Sequence, residues 1–403
     1  MSSTTNQFPA KQLIKNFFKN QDSKSMHNLV NYCKSKDLYD DEILLLANGL
    51  AKSGEIISFP LSKTVCDIPS TGGPSSLSTL ISPLFLKVLG KTVLKIGVPG
   101  RPAGGVDVLA QIRGYQINPN INEVKDWFDS SGYVHFIAND NFAPLDARLF
   151  QFRKENDAID NASLVIASLL SKKIAAGVQY IGLDIRVSEF GNFGKTIKKA
   201  TENGLKFNRV AKLAGIDSQC FLTDGNLPQQ PYIGRGESIL ALYKLFNNCT
   251  DPLSKKHIAQ CYRMAFSLSK SISNTNITID LLLKAFEENI KIQGGNMISF
   301  SELAQKIEVD HKYFIYAKNS GILKINLKKI RDAIVMVQNK FHDLFPDPTG
   351  IILKNSSNNY VYAGDILCSY RCDKNYQIEF KKKLLNAFTI DNTLNSTNFK
   401  EIK

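Results

Sequence analysis

The chain has 403 residues, 43% of them hydrophobic and 22% charged, which suits two or three folded domains and excludes a disordered or fibrous protein. No apolar run reaches the roughly 18 residues of a membrane span, and residues 1–8 are polar with no apolar signal core, so a cytoplasmic protein without a membrane partner is expected. The net charge of +13 allows an anionic partner, but the lysines are scattered and not interleaved with aromatic residues, so no nucleic-acid partner is expected.

Taken in order, residues 10–52 read as helices, with Asp40-Asp41 placed ahead of the run Ile43-Leu44-Leu45-Leu46-Ala47 at the positive end of a helix. A short connection is expected over 62–66. Alternation follows: a helix over Leu77–Leu89, a strand over Val93–Val98, a helix near 106–112 and a strand over Tyr133–Ile137. A helical block at about 157–176 precedes strands at Tyr180–Val187 and Gln219–Leu222, separated by a helix around 196–213. This order argues an α/β fold with a mixed, mostly parallel sheet covered on both faces. Residues 300–340 mix helix and strand, and short strands with tight turns follow Gly350, so a C-terminal α+β module is expected. His135, in mid-strand, reads as a core histidine, as Trp127 and the aromatic stretch 133–152 read as core. The seven cysteines have no metal spacing, the nearest pair being Cys368-x3-Cys372; reduced thiols and no metal are expected.

Two constellations carry chemistry. Ser70-Thr71-Gly72-Gly73 precedes a helix, so backbone N–H groups and the helix N-terminus can gather around an anion, with Thr79 as a further donor. A second glycine loop, Gly97–Gly105, follows a strand, and Lys95 and Arg101 bring cations to it. Neither loop is a Walker A or GxGxxG sequence. Ser168 and Lys172 lie one helical turn apart, 15 residues beyond Arg153. Arg and Lys can donate to the two carbonyls of a uracil-like base, and Ser can donate or accept. The same spacing also suits a solvated Ser and Lys and an Arg in a salt bridge.

With these residues in view, the chain resembles the thymidine/pyrimidine nucleoside phosphorylases, which are related to anthranilate phosphoribosyltransferase. The family's D-K-x-S-T-G-G stands here as Asp67-Ile68-Pro69-Ser70-Thr71-Gly72-Gly73, and Gly100–Val106 resembles a shortened S-G-R-G…T-G-G-T loop. The base-binding pattern L-A-P-A-D…R…ITAS-IL-A-K-K is met by Phe142–Asp146, Arg153 and Ile166–Lys173 without a gap. Leu183–Val187, Leu222–Asn226, Asp347–Ile351 and Ala363–Asp365 resemble further family segments.

The resemblance implies a helical domain (1–65 with 140–178), an α/β phosphate- and sugar-binding domain (66–139 with 179–310) and the module 311–403. It implies phosphorolysis of a pyrimidine (deoxy)nucleoside to free base and pentose 1-phosphate, without a cofactor, in a homodimer formed through the helical domain. Carried over residue by residue, Arg153, Ser168 and Lys172 hold the base, Arg153 and Lys172 being catalytic. Ser70, Thr71, Gly72, Gly73, Thr79, Lys95 and Arg101 hold phosphate; that Lys95 or Arg101 compensates for a missing loop lysine is our own inference. The departures are Ile68 for that lysine, Pro69 for a histidine found in many members, Val106 for a threonine, and Met336–Lys340 for a Gly- and Arg-rich loop. They leave two alternatives open: the same fold with another acceptor or substrate, or a non-catalytic nucleoside-binding protein.

Overall fold

The computed structural model describes residues 9–59, 64–100, 102–270, 276–341 and 346–391. Helices α1 (Pro9–Asn20), α2 (Ser23–Ser35) and α3 (Asp40–Ala51) come first. The carboxylate of Asp22 accepts from the backbone N–H of Ser25 at 2.7 Å and caps α2. Asp40, Asp41 and Glu42 fill the first turn of α3, where exposed N–H groups attract negative charge.

The alternating region then runs β1 (Val65–Asp67), α4 (Ser78–Val88), β2 (Thr92–Gly97), α5 (Val106–Leu109), α6 (Ile121–Ser131), β3 (Tyr133–Ile137), α7 (Pro144–Glu155), α8 (Ala162–Ala175), β4 (Tyr180–Val187), α9 (Ile197–Leu213) and β5 (Asp217–Asp224). These strands form one sheet in the order β3-β2-β1-β4-β5, with every pairing parallel. The parallel sheet is thus as the sequence implied, with two local differences. Residues 65–67, the first two of them expected in a connection, form the central strand. Three residues ending in a charge give no alternation to read, and Asp67 is buried only because two lysines meet it. The helix expected from 157 starts instead at Ala162, α7 having ended at Glu155: Asp157 turns the chain at φ +49° and the Asn161 side chain caps α8.

The chain continues through β6 (Tyr232–Ile233), α10 (Arg235–Phe246), α11 (Pro252–Ser269), α12 (Ile279–Ile292), α13 (Met297–Asp310), β7 (Tyr313–Tyr316), β8 (Gly321–Ile325), α14 (Leu327–Gln338), β9 (Gly350–Leu353), β10 (Tyr360–Val361), β11 (Ile366–Arg371), α15 (Gln377–Leu385) and β12 (Phe388–Asp391). Two antiparallel sheets, β6-β9-β11-β7 and β10-β8-β12, build the C-terminal part.

Three apolar cores result. One packs α1–α3 and α7–α9 on a face of the parallel sheet, through Leu46, Leu94, Val134, Leu170 and Phe207. A second joins α4 to α10–α13 through Leu80, Ile81, Leu240, Phe286 and Phe300. The third holds the C-terminal sheets around Ile315, Leu323, Ile330 and Ile351, and takes in Ile233 of β6.

The C-terminal part is tied to α10 by charge. Glu237 is fully buried and accepts from Arg371 Nε at 2.6 Å and from His311 Nε2 at 2.9 Å. A Cβ at Gly350 would stand 1.7 Å from Glu237 Oε2, so only glycine leaves room for the carboxylate. Burial opposes its ionisation, but Arg371 and His311 outweigh burial and hold the carboxyl below its ordinary range. Its contribution is therefore present above about pH 4.5 and lost as the pH falls below it. Glu237→Gln, which strands the buried guanidinium, is expected to cost about 3–5 kcal/mol in chemical denaturation at pH 7. Glu308→Gln, at a partly exposed Lys244 pair of 2.6 Å, is expected to cost less than about 1 kcal/mol.

Candidate active site at two glycine loops and a lysine-bearing helix

In parallel α/β sheets ligands bind beyond the carboxyl ends of the strands. Adjacent strands β1 and β2 send loops 68–77 and 98–105 from that edge. Gly72 and Gly73 have φ of +118° and +114°, and Gly104 and Gly105 of +74° and +72°. These backbone conformations suit glycine and expose peptide groups. The second loop is stitched to the first turn of α4, into which the first loop leads, where Gly105 N–H donates to Thr79 Oγ1 at 3.0 Å.

A buried network behind the first loop fixes it to β4. Thr71 N–H donates to the Asp184 carbonyl at 3.0 Å, and Arg186 N–H to Thr71 Oγ1 at 2.9 Å. Asp184 Oδ2 accepts from Ser78 Oγ at 2.7 Å and Arg186 Nη2 at 2.6 Å, while its Oδ1 accepts from Thr223 Oγ1 at 2.8 Å. Arg186 also donates to Ser76 Oγ. From α11, His257 Nε2 accepts the Leu77 N–H at 3.0 Å. Burial, with Arg186 nearby, pushes the His257 pKa down to about 4.

A cleft of about 140 Å³ opens between the loops and α8. Of the residues expected to hold phosphate, Ser70, Gly72, Gly73, Thr79 and Lys95 line it. The Thr71 hydroxyl is engaged with β4 instead, and Arg101 lies outside the described residues. Ile68 is fully buried in the second core, while Pro69 and Val106 line the cleft wall.

Of the residues expected to hold the base, Lys172 lines the same cleft. Its ammonium donates to Asp146 Oδ2 at 2.5 Å and to Ser168 Oγ at 3.0 Å. Burial lowers the Lys172 pKa despite the pull of Asp146. Arg153 is on α7 rather than α8, and its donors are spent on the chain. Nε donates to the Ala158 carbonyl at 3.1 Å, Nη2 to Ile159 at 2.8 Å and Nη1 to Leu164 at 3.3 Å. Burial lowers its pKa to about 10. The structure therefore brings Lys172 and Ser168 together and sets Arg153 into the turn that joins their helix to α7.

Sequence reasoning missed Lys173. It is 2% exposed and pairs with Asp67 Oδ2, while Lys95 donates to Asp67 Oδ1 at 2.6 Å and to the Ile68 carbonyl at 2.9 Å. Burial opposes ionisation of Asp67, but the two lysines hold its carboxyl below the ordinary value. The available signal was Asp67 itself, a carboxylate directly after the apolar pair Val65-Cys66, whose burial would require a cation. His135, expected in the core, is 1% exposed yet reaches the cleft wall. It is the register partner of Lys95, and burial, with Lys95 beside it, lowers its pKa well below the ordinary value.

No family model matches the chain. Over 197 residues it is 30% identical to a thymidine phosphorylase of Sinorhizobium fredii, covering 48% of this chain and 45% of that one. Over 189 residues it is 29% identical to a thymidine phosphorylase of Colwellia psychrerythraea, covering 46% and 43%. The match thus spans less than half the length of these relatives. A pyrimidine-nucleoside phosphorylase of Staphylococcus epidermidis is 23% identical over 373 residues, 88% of this chain and 86% of that one. The chain is a divergent relative of the thymidine and pyrimidine-nucleoside phosphorylases. Its fold is shared with the anthranilate phosphoribosyltransferase of Thermus thermophilus, at a TM-score of 0.52 and 14% identity over 73% of this chain and 94% of that one. Among the described residues no helix is long and apolar enough to cross a membrane.

The state of His257 sets an expectation for pH. Its ring accepts from Leu77 N–H and must be neutral at that nitrogen. With an unfolded pKa near 6.5 and a folded one near 4, the unfolded chain binds the extra proton between those values, so stability falls as the pH drops through that window. Complete protonation costs about 3 kcal/mol. Denaturant titrations from pH 7 to 4 are expected to show this slope in the wild type and a shallower one in His257→Gln, which does not titrate.

Proposed function

We propose that this protein is a pentosyltransferase that cleaves the N-glycosidic bond of a pyrimidine (deoxy)nucleoside with inorganic phosphate. The carrying observation is one small cleft lined by both glycine loops and by Lys172, whose ammonium is buried. Oxyanion donors thus face a cation suited to a base carbonyl, and the relatives named thymidine and pyrimidine-nucleoside phosphorylase support the same chemistry.

In this reading phosphate sits against Ser70, Gly72, Gly73 and Thr79, near Lys95, and the base against Lys172 and Ser168. A phosphate oxygen forms a bond to C1′ as the C1′–N1 bond breaks and its electron pair stays on the base. Lys172 stabilises the charge that develops on the base carbonyl, and the departing base takes up the proton that hydrogen phosphate gives up on becoming the pentose 1-phosphate. Arg153 serves the base subsite as a positioning residue, since it holds the 158–164 turn from which α8 starts. The cleft lies between the proposed helical domain (1–65 with 140–178) and α/β domain (66–139 with 179–310), and precise placement of both reactants supplies much of the rate.

A second reading, an acceptor other than free phosphate, is favoured by one observation: Pro69 and Val106 put apolar surface on the cleft wall.

The deciding experiment is base release from uridine, thymidine and deoxyuridine with and without phosphate. The first reading expects release only with phosphate, together with pentose 1-phosphate, and expects Lys172→Ala to lower kcat/KM at least ~10-fold through loss of one charged contact. Equal turnover with and without phosphate would reject it in favour of the second. From the same resemblance we propose pairing through the helical domain; a solution mass twice that of one 44.9 kDa chain is expected, and a monomeric mass would refute it.

A further inference from the structure

Every lysine that lines the cleft already faces a buried carboxylate. Lys95 and Lys173 share Asp67, and Lys172 is held by Asp146. Swinging any of them onto an incoming anion would strand that carboxylate out of water, a costly rearrangement. Ile68, where related loops carry a lysine, is sunk in the core. Among the described residues the remaining cation on the cleft wall is Arg331 of α14, in the C-terminal part of the chain.

Arg331 differs from the lysines in two ways. Its side chain is 49% exposed, and among the described residues its ion pair is with the neighbouring Asp332 at 3.4 Å, a carboxylate that Lys328 already holds at 2.5 Å. Approaching an anion therefore leaves no buried charge behind. The helix that carries it is also fixed to the second glycine loop. Gln338, at the far end of α14, donates to the Pro102 carbonyl at 3.1 Å, and Asp347 N–H donates to Gln111 Oε1 at 2.5 Å.

We infer that Arg331 is the phosphate-recognition cation of this cleft, delivered from the C-terminal module in place of a lysine on the loop. A guanidinium offers paired N–H donors that match two oxygens of a phosphate group, which an ammonium does not. The glycine-loop N–H groups then meet the remaining oxygens. The inference rests on the phosphorolysis reading for its context, and the phosphate group has two possible sources: free inorganic phosphate, or a 5′-phosphate on the nucleoside itself.

Calorimetric titration of inorganic phosphate into the wild type, Arg331→Gln and Arg331→Lys tests the contact without requiring turnover. Arg331→Gln is expected to weaken binding roughly 10–100-fold, the effect of one lost charged hydrogen bond, and Arg331→Lys to recover part of it. Kinetics with uridine and uridine 5′-monophosphate separate the sources. If free phosphate is held, Arg331→Gln raises KM for phosphate by a similar factor and leaves KM for uridine within about two-fold. If the substrate's own phosphate is held, the variant instead erases a preference for the monophosphate over uridine. An Arg331→Gln protein that binds phosphate and turns over both substrates as the wild type does would overturn the assignment. A wild type that binds phosphate but cleaves neither substrate would refute phosphorolysis, and the titration alone would still decide the role of Arg331.

Discussion

The carboxylate of Asp67 is the point on which this site depends. It closes the central strand of the parallel sheet and is met by Lys95 from the neighbouring strand and Lys173 from α8. At an effective dielectric constant near 20, unit charges about 3 Å apart attract by roughly 5 kcal/mol. Desolvation costs several kcal/mol per ion, so the net stabilisation is small. What the cluster contributes is placement. It fixes the helix carrying Lys172 against the strand edge from which both glycine loops leave, and so sets the width of the cleft.

The second polar cluster does the same for the loop. Thr71, Ser76 and Ser78 look like ligands for an anion, yet Asp184 and Arg186 take up their hydroxyl groups. Most hydroxyls of the hydroxyl-rich loop are therefore structural. In the proposed reading an anion would draw on the Ser70 and Thr79 hydroxyls and on loop N–H groups other than those of Gly72, Gly100 and Gly105, which donate to Ser70, Asp107 and Thr79. The same logic explains how the loop lysine can be missing: Asp67, which precedes it in the family motif, keeps two other lysines as partners, while residue 68 turns into the core.

Beside the family pattern, then, this chain keeps the Arg153, Ser168 and Lys172 spacing and lacks the lysine of the first glycine loop. The cations near the loops come from β2, α8 and α14, segments far apart in sequence. Coupling through Glu237, Arg371 and Asp347 joins the C-terminal part to the layer that bears the second glycine loop, so the position of α14 is part of the geometry of the cleft.

The parallel order of the alternating region, the C-terminal module and the identity of the two loops were legible in the chain itself, because hydrophobic period, glycine placement and motif spacing are local properties. So was the pairing of Ser168 with Lys172, which one helical turn dictates. The sequence could not show that Val65–Asp67 is a central strand, since three residues carry no period, nor that Arg153 spends its donors on backbone carbonyls, since that depends on the turn at Asp157. It could not single out Lys173 or Arg331 either. A lysine becomes a buried partner, and an arginine a cation at a cleft, only when residues distant in the chain meet, and it is tertiary packing that brings Asp67 to one and the glycine loops to the other.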